Sequence, residues 1–219
     1  MPQHVITRGN DRQPIFYGSD DYAYYLKQLG LVAHRYGCLI HCYVLMTNHV
    51  HLLLTPQQEN GVPKTMQALG GRYVRYINKR YGRTGTLFEG RYKASLVNSD
   101  EYLLSCYRYI EMNPVRSGMV KQPKDYRESS HRYHAFGQRD PVITQHDLYR
   151  RLGNDPVQRC DRYRRLFLIP QTTTELDMIR NVTNSCLPLG NDCFKDQIEI
   201  ILARTVRHKK YGRPNKLKN

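Results

Sequence analysis

Two apolar runs, Tyr43-Val44-Leu45-Met46 and His49-Val50-His51-Leu52-Leu53-Leu54-Thr55, meet at Thr47-Asn48 and restrict what this chain can fold into. They predict a pair of neighbouring strands forming a hairpin. Side chains alternate along an extended strand, so His49 and His51 share one face while Val50, Leu52 and Leu54 take the other. Two neutral imidazoles on one patch each offer a lone-pair nitrogen and make half of a metal site. The same pair also reads as polar residues on the solvated face of a half-buried strand. What the rest of the chain brings to that face decides between the two.

Upstream, His4-Val5-Ile6-Thr7-Arg8 has the alternation of a short strand, ended by Gly9-Asn10. Ser19-Asp20-Asp21 reads as the start of a helix that continues through Tyr22, Tyr25, Leu26, Leu29, Val32 and Ala33 to near Gly37. Residues 38–46 and 49–55 then form the hairpin. A second helix over residues 64–81 carries Met66, Leu69, Tyr73, Tyr76 and Ile77 on one stripe, flanked by Arg72, Arg75, Lys79 and Arg80. Residues 86–97 read as extended with a break at Gly90. Ser99-Asp100-Glu101 caps a third helix that runs to Asn113 and is ended by Pro114. This order predicts an α+β domain over residues 1–137 with a mainly antiparallel, ferredoxin-like sheet and helices on its faces. A C-terminal helical extension over residues 138–206 follows, with short helices at 144–152, 155–168 and 191–206. The tail, residues 207–219, is basic, lacks an apolar face and is expected to be flexible.

Charge narrows the class of partner. Among 219 residues, Lys+Arg number 34 against 19 Asp+Glu, a formal net charge of +15, which calls for a polyanion. No apolar run approaches the roughly 20 residues that span a bilayer, so no membrane is expected and the chain reads as soluble and cytoplasmic. The 6 cysteines form no C-x-x-C pair and predict reduced thiols rather than a zinc or exchange site. There are 18 tyrosines and no tryptophan. Many of them stand beside Arg or Lys, which suits base stacking and phosphate contact together. Arg72, Arg75, Tyr76, Lys79, Arg80, Arg83, Arg91 and Lys93 are accordingly the DNA-binding candidates, with a solvated basic face as the plainer reading. Arg213, within Gly212-Arg213-Pro214, reads as a minor-groove arm or as general phosphate attraction.

The third helix supplies what the histidine pair lacks. Tyr102, Cys106, Tyr109 and Asn113 recur at i, i+4, i+7 and i+11 and share one face. Tyr109 there is a candidate nucleophile and Asn113 a candidate oxygen ligand; alternatively the face is an apolar stripe closed by Asn-Pro. Tyr107 falls with Leu103 and Ile110 on another face and is expected to be packed.

Taken together, His49-Val50-His51 and Tyr109-Ile110-Glu111-Met112-Asn113-Pro114-Val115-Arg116 resemble the single-tyrosine HUH transposases, specifically the REP-associated tyrosine transposases. His4-Val5-Ile6-Thr7-Arg8-Gly9-Asn10, Gly85-Thr86-Leu87-Phe88-Glu89-Gly90-Arg91-Tyr92, Leu187-Pro188-Leu189-Gly190 and Gly212-Arg213-Pro214 extend the resemblance along the chain. It implies an HUH endonuclease fold and cleavage of single-stranded DNA near hairpin-forming repeats. It further implies a divalent ion, Mg²⁺ or Mn²⁺, held by His49, His51 and Asn113, with Tyr109 attacking the phosphate to leave a 5′-phosphotyrosine. Related transposases work as dimers that exchange the tyrosine helix, whereas the helical extension here could fold back and favour a monomer, so monomer and homodimer both stand. Two rivals remain: a catalytically silent DNA-binding regulator of repeat elements, and a metal-dependent hydrolase using an activated water.

Overall fold

The computed structural model describes residues 1–98 and 101–207. Ser99 and Asp100, read above as part of a helix cap, lie outside the described residues, as do residues 208–219 with Arg213.

Strands β1 (Gln3–Arg8), β2 (Cys38–Met46), β3 (His49–Pro56) and β4 (Lys93–Leu96) form one antiparallel sheet in the order β2-β3-β1-β4. With α1 (Ser19–Arg35) between β1 and β2 and α2 (Gly61–Tyr81) between β3 and β4, this is the predicted ferredoxin-like arrangement. The fourth strand is shorter than the expected extended stretch; only Phe88 and Val97 of its flanks make isolated bridges, to Gly9 and Leu189. Ser19 does not cap α1. The Asp21 carboxylate accepts from the backbone N–H groups of Tyr17 and Gly18, at 2.8 and 3.0 Å, and so closes the first turn.

Alternation divides the sheet into two cores. Val5, Val50, Leu52 and Leu54 pack under α1 and α2 with Leu29, Val32, Leu69, Tyr73 and Ile77. A bulge at His41 keeps this pattern on β2: the register slips between Ile40 and Cys42, so Ile40 and Tyr43, three apart, face the same core. Cys42, Val44, Met46 and Leu53 face the opposite way, into a second core with α3 (Leu103–Glu111). Here the expected ending at Pro114 is corrected: α3 stops at Glu111, and Pro114 sits in the first turn of a further short helix, α4 (Asn113–Arg116), where a missing N–H costs nothing.

The C-terminal helical extension closes this second core. It comprises α6 (Asp147–Arg150), α7 (Pro156–Leu166), α8 (Thr173–Asn184) and α9 (Asp192–Leu202), and α5 (His131–Phe136) precedes it at the end of the α+β domain. Tyr149, Tyr163, Ile179 and Leu189 are buried against α3 and β2 residues. The segment around residues 128–130 also covers the β2 edge, with Leu45 N–H donating to Glu128 O at 2.8 Å and Ser130 N–H to Tyr43 O at 3.1 Å. On the far edge Leu189 N–H donates to Leu96 O at 2.7 Å. Both edges are thus occupied by chain from beyond α4, which removes unpaired strand groups from solvent. Among the described residues, no helix is long and apolar enough to cross a membrane.

Candidate active site

Pairing of Ile6 with His51 and of Arg8 with His49 puts β1 beside the histidine strand, on the face covered by α3. The turn before His49 is braced from outside. Gly9 N–H donates to Asn48 O and Ile15 N–H to Thr47 O, both at 2.8 Å. This wrap needs a glycine, because a Cβ at Gly9 would stand 2.2 Å from Gln13 O. Asn48 then donates through Nδ2 to Arg12 O at 3.0 Å, which turns its Oδ1 to accept from His49 Nδ1 at 2.7 Å.

The histidine rings lie 5.0 Å apart between centroids. Tyr109, on α3, sets its ring edgewise at 5.9 Å from His51, within the same chain. Asn113 stands close enough to His49 to influence its charge and donates from Nδ2 to Tyr109 O at 3.4 Å. The structure therefore brings together His49, His51, Tyr109 and Asn113. Tyr107, two residues from Tyr109, is fully buried and sets its ring against His134 and Tyr163 instead, with centroids 5.0 and 6.2 Å away.

Burial sets the electrostatics. It lowers His49 to about 4, assisted by the Arg8 charge and opposed by Asn113, and it lowers His51 well below the usual imidazole range. Both rings are neutral at pH 7, the form in which imidazole donates a lone pair to a metal. Burial also raises the Tyr109 phenol, which is 6% exposed, while Arg116 and Arg180 oppose that rise. The Arg116 guanidinium lies 4.5 Å from the Tyr109 ring centroid and donates to the Tyr109 carbonyl. Burial lowers Arg116 itself to about 10, which leaves it charged at neutral pH.

No group of three or more His, Cys, Asp or Glu side chains at metal-binding spacing occurs among the described residues. The available donors are two imidazoles and one amide oxygen. Such a set leaves coordination positions open, and its nitrogen content suits Mn²⁺ better than the oxygen-seeking Mg²⁺.

The DNA-binding candidates divide in space. Arg72, Arg75, Tyr76, Lys79 and Arg80 belong to α2, which covers the opposite face of the sheet from the histidines. Several are engaged there: Arg80 pairs with Asp20 at 2.8 Å, Arg72 donates to Gln28 at 2.9 Å, and Tyr76 stacks on Tyr24 with centroids 3.9 Å apart. Arg83 donates to the Tyr17 hydroxyl at 2.5 Å. Arg91 and Lys93 instead join Arg8 around a cavity of about 150 Å³, next to the β1 residues that pair with the histidine strand.

Sequence reasoning missed five residues at the site: His4, Arg8, Arg116, Arg180 and Thr183. Arg180 and Thr183 lie on α8, a helix the expected division of the extension leaves out. Its signal was present as Thr172-x-x-Glu175, a reciprocal capping box in which Glu175 N–H donates to Thr172 Oγ1 at 3.2 Å and Thr172 N–H to Glu175 Oε2 at 2.8 Å.

The family of IS200-like transposases matches residues 1–113, over half of the 219 residues. Among solved structures, a REP-associated tyrosine transposase bound to a REP hairpin superposes with a TM-score of 0.54 at 17% identity, over 66% of this chain and 86% of that one. At that identity the likeness is one of fold. A transposase candidate of Deinococcus radiodurans R1 superposes less well, with a TM-score of 0.38 at 24% identity over 51% of this chain and 88% of that one. No curated protein matches.

Proposed function

This chain belongs to the IS200-like transposase family, and from that premise we propose that it is a single-strand DNA endonuclease and strand-transferase of the REP-associated tyrosine type. Its substrate on this reading is single-stranded DNA beside hairpin-forming repeats. The observation that carries the reading is the seating of Tyr109 against His51 of its own chain, with ring centroids 5.9 Å apart.

His49, His51 and Asn113 would hold Mg²⁺ or Mn²⁺. When bound, that ion supplies the positive charge that polarises the scissile phosphate and lowers the phenol's pKa. Tyr109 Oη attacks phosphorus and loses its proton; the bond from phosphorus to the 3′ oxygen breaks, and that oxygen takes up a proton. The 5′-phosphotyrosine keeps the phosphodiester's bonding energy, so a second 3′-OH can displace Tyr109 without ATP. Arg116 and Arg180 favour the phenolate over the buried phenol. Arg8, Arg91 and Lys93 line the adjoining cavity and suit backbone phosphates.

One observation favours a catalytically silent regulator instead: the phenol is 6% exposed and raised by burial, as a packed tyrosine would be. A single experiment separates the two. Labelled single-stranded hairpin DNA is incubated with the protein and Mn²⁺, then resolved on a denaturing gel and by mass spectrometry. The expected result is a covalent peptide–DNA adduct at Tyr109 that Tyr109→Phe abolishes. Binding without any adduct supports the regulator, and a Tyr109→Phe protein that still cuts at near the normal rate sinks the tyrosine mechanism.

A further inference from the structure

A chain of four hydrogen-bonding groups runs from α8 to the histidine pair. Thr183 Oγ1 lies 2.7 Å from Ile179 O, His4 Nδ1 lies 3.0 Å from Thr183 Oγ1, and His51 Nδ1 lies 2.8 Å from His4 Nε2. His4 and His51 are stacked with centroids 5.1 Å apart, and His4, His51 and Thr183 are each at least 97% buried.

The direction of every bond in this chain is fixed from one end. A carbonyl oxygen only accepts, so the single Thr183 hydroxyl proton goes to Ile179 O. Thr183 Oγ1 must therefore accept from His4, and His4 carries its proton on Nδ1. Neither partner of His4 is an anion that would hold a second proton on the ring, so His4 Nε2 is a lone pair. It accepts from His51 Nδ1–H, and that leaves the His51 lone pair on Nε2. His49 reaches the same state independently, through Nδ1–H donated to Asn48 Oδ1 at 2.7 Å.

We propose that His4 and Thr183 are positioning residues that lock His51 as its Nδ1–H tautomer, so that both histidines present Nε2 to a divalent cation. The cation itself rests on the function proposed above; the tautomer does not. Outer partners of this kind orient a ligating imidazole and fix which nitrogen is free. One consequence is architectural. Thr183 stands well beyond the family-matched residues 1–113, so the histidine pair is incomplete without α8 of the extension.

Thr183→Val keeps the side-chain shape but removes the acceptor. His4 is then free to carry its proton on Nε2 and donate it to His51 Nδ1, which moves the His51 proton to Nε2 and blocks the metal-facing nitrogen. Thr183→Ser restores the hydroxyl. The test is long-range ¹H–¹⁵N correlation spectroscopy on the metal-free full chain, with His51 assigned from a His51→Gln spectrum, followed by Mn²⁺ titration calorimetry. The expected result is an Nδ1–H tautomer at His51 in the parent and Ser variant and loss of that state in the Val variant. Mn²⁺ affinity should fall about 10–100-fold in the Val variant and recover with Ser. An Nε2–H tautomer at His51 in the parent overturns the proposal. So does a folded Val variant with unchanged tautomer and Mn²⁺ affinity, or an unfolded Val variant whose Ser counterpart folds but loses the tautomer. If the parent binds no Mn²⁺ while His51 is Nδ1–H, the metal-assisted function fails and the relay stands.

Discussion

The two faces of the sheet are built from different chemistry although the same strands supply both. Under α1 and α2, the core is aliphatic and aromatic, and its buried polar groups are the Tyr73 hydroxyl, which donates to Ile15 O at 2.7 Å, Thr65, and the Asp21 carboxylate at the start of α1, which accepts from Tyr76 and Tyr81 at 3.1 and 2.9 Å. Under α3, the core is threaded with titratable groups. Fully buried Glu111 accepts from Ser130 at 2.7 Å, Tyr163 at 2.8 Å, and the Nδ1 atoms of His131 and His134 at 2.9 Å each, with Cys42 Sγ at 3.6 Å. Burial alone would raise this carboxyl, but His134 and His131 more than offset it and hold it well below its ordinary range. The face also leaves the Tyr107 hydroxyl and His134 Nε2 buried without a hydrogen-bond partner. Apolar burial stabilises without direction, whereas hydrogen bonds fix where atoms stand. One face therefore supplies stability, and the other spends some of it to hold α3, with Tyr109, in register with the histidines.

That division can be broken by substitution. The larger effect should come from Glu111→Ala, which leaves two imidazoles, two hydroxyls and a thiol without their shared acceptor. Removing one partner of a buried charged network costs about 3–5 kcal/mol, read as a lower urea midpoint. Because Glu111 stands two residues from Tyr109 on α3, adduct formation per folded molecule should fall as well. Leu52→Ala on the apolar face should cost about 3 kcal/mol through lost burial and the cavity left behind. Its folded fraction should keep normal adduct formation. Equal loss of activity per folded molecule in both variants would show that the faces do not differ in role.

The sheet was legible because its signals are local and periodic. Alternation in His4–Arg8 and His49–Thr55, and helical spacing in 64–81, sort residues to faces without tertiary knowledge. Tyr109 and Asn113 were legible through their i, i+4 spacing, which keeps them together although α3 ends at Glu111 and Asn113 opens α4. The supports of the site were not, because they are single residues whose meaning comes from distant partners. His4 reads as a strand residue until Thr183, 179 positions away, is seen to hold it. Glu111 likewise reads as an ordinary helix acid until α5 and α7 close over it. The α2 cations show the complementary case: charge in sequence marks a surface but not which side of the sheet that surface covers, and these residues lie across the sheet from the histidines.

Acid should separate the faces most finely. His4 is lowered to about 3 and His49 to about 4 by burial, and His51 falls well below its ordinary value, all on the α3 face. Below about pH 6.5 the unfolded chain binds protons on these rings that the folded chain does not, so stability falls with pH until the folded values are reached. The Glu111 contribution is lost only below the ordinary carboxylate range and does not interfere above pH 5. Each such imidazole costs at most about 1.4 kcal/mol per pH unit in this window. His49→Gln should therefore shrink the loss between pH 7 and pH 5.5 by about 1 kcal/mol, whereas Leu52→Ala should shift the whole curve by a constant amount. Urea midpoints across that range decide it, and parallel curves for parent and His49→Gln would place the acid sensitivity outside the histidine face.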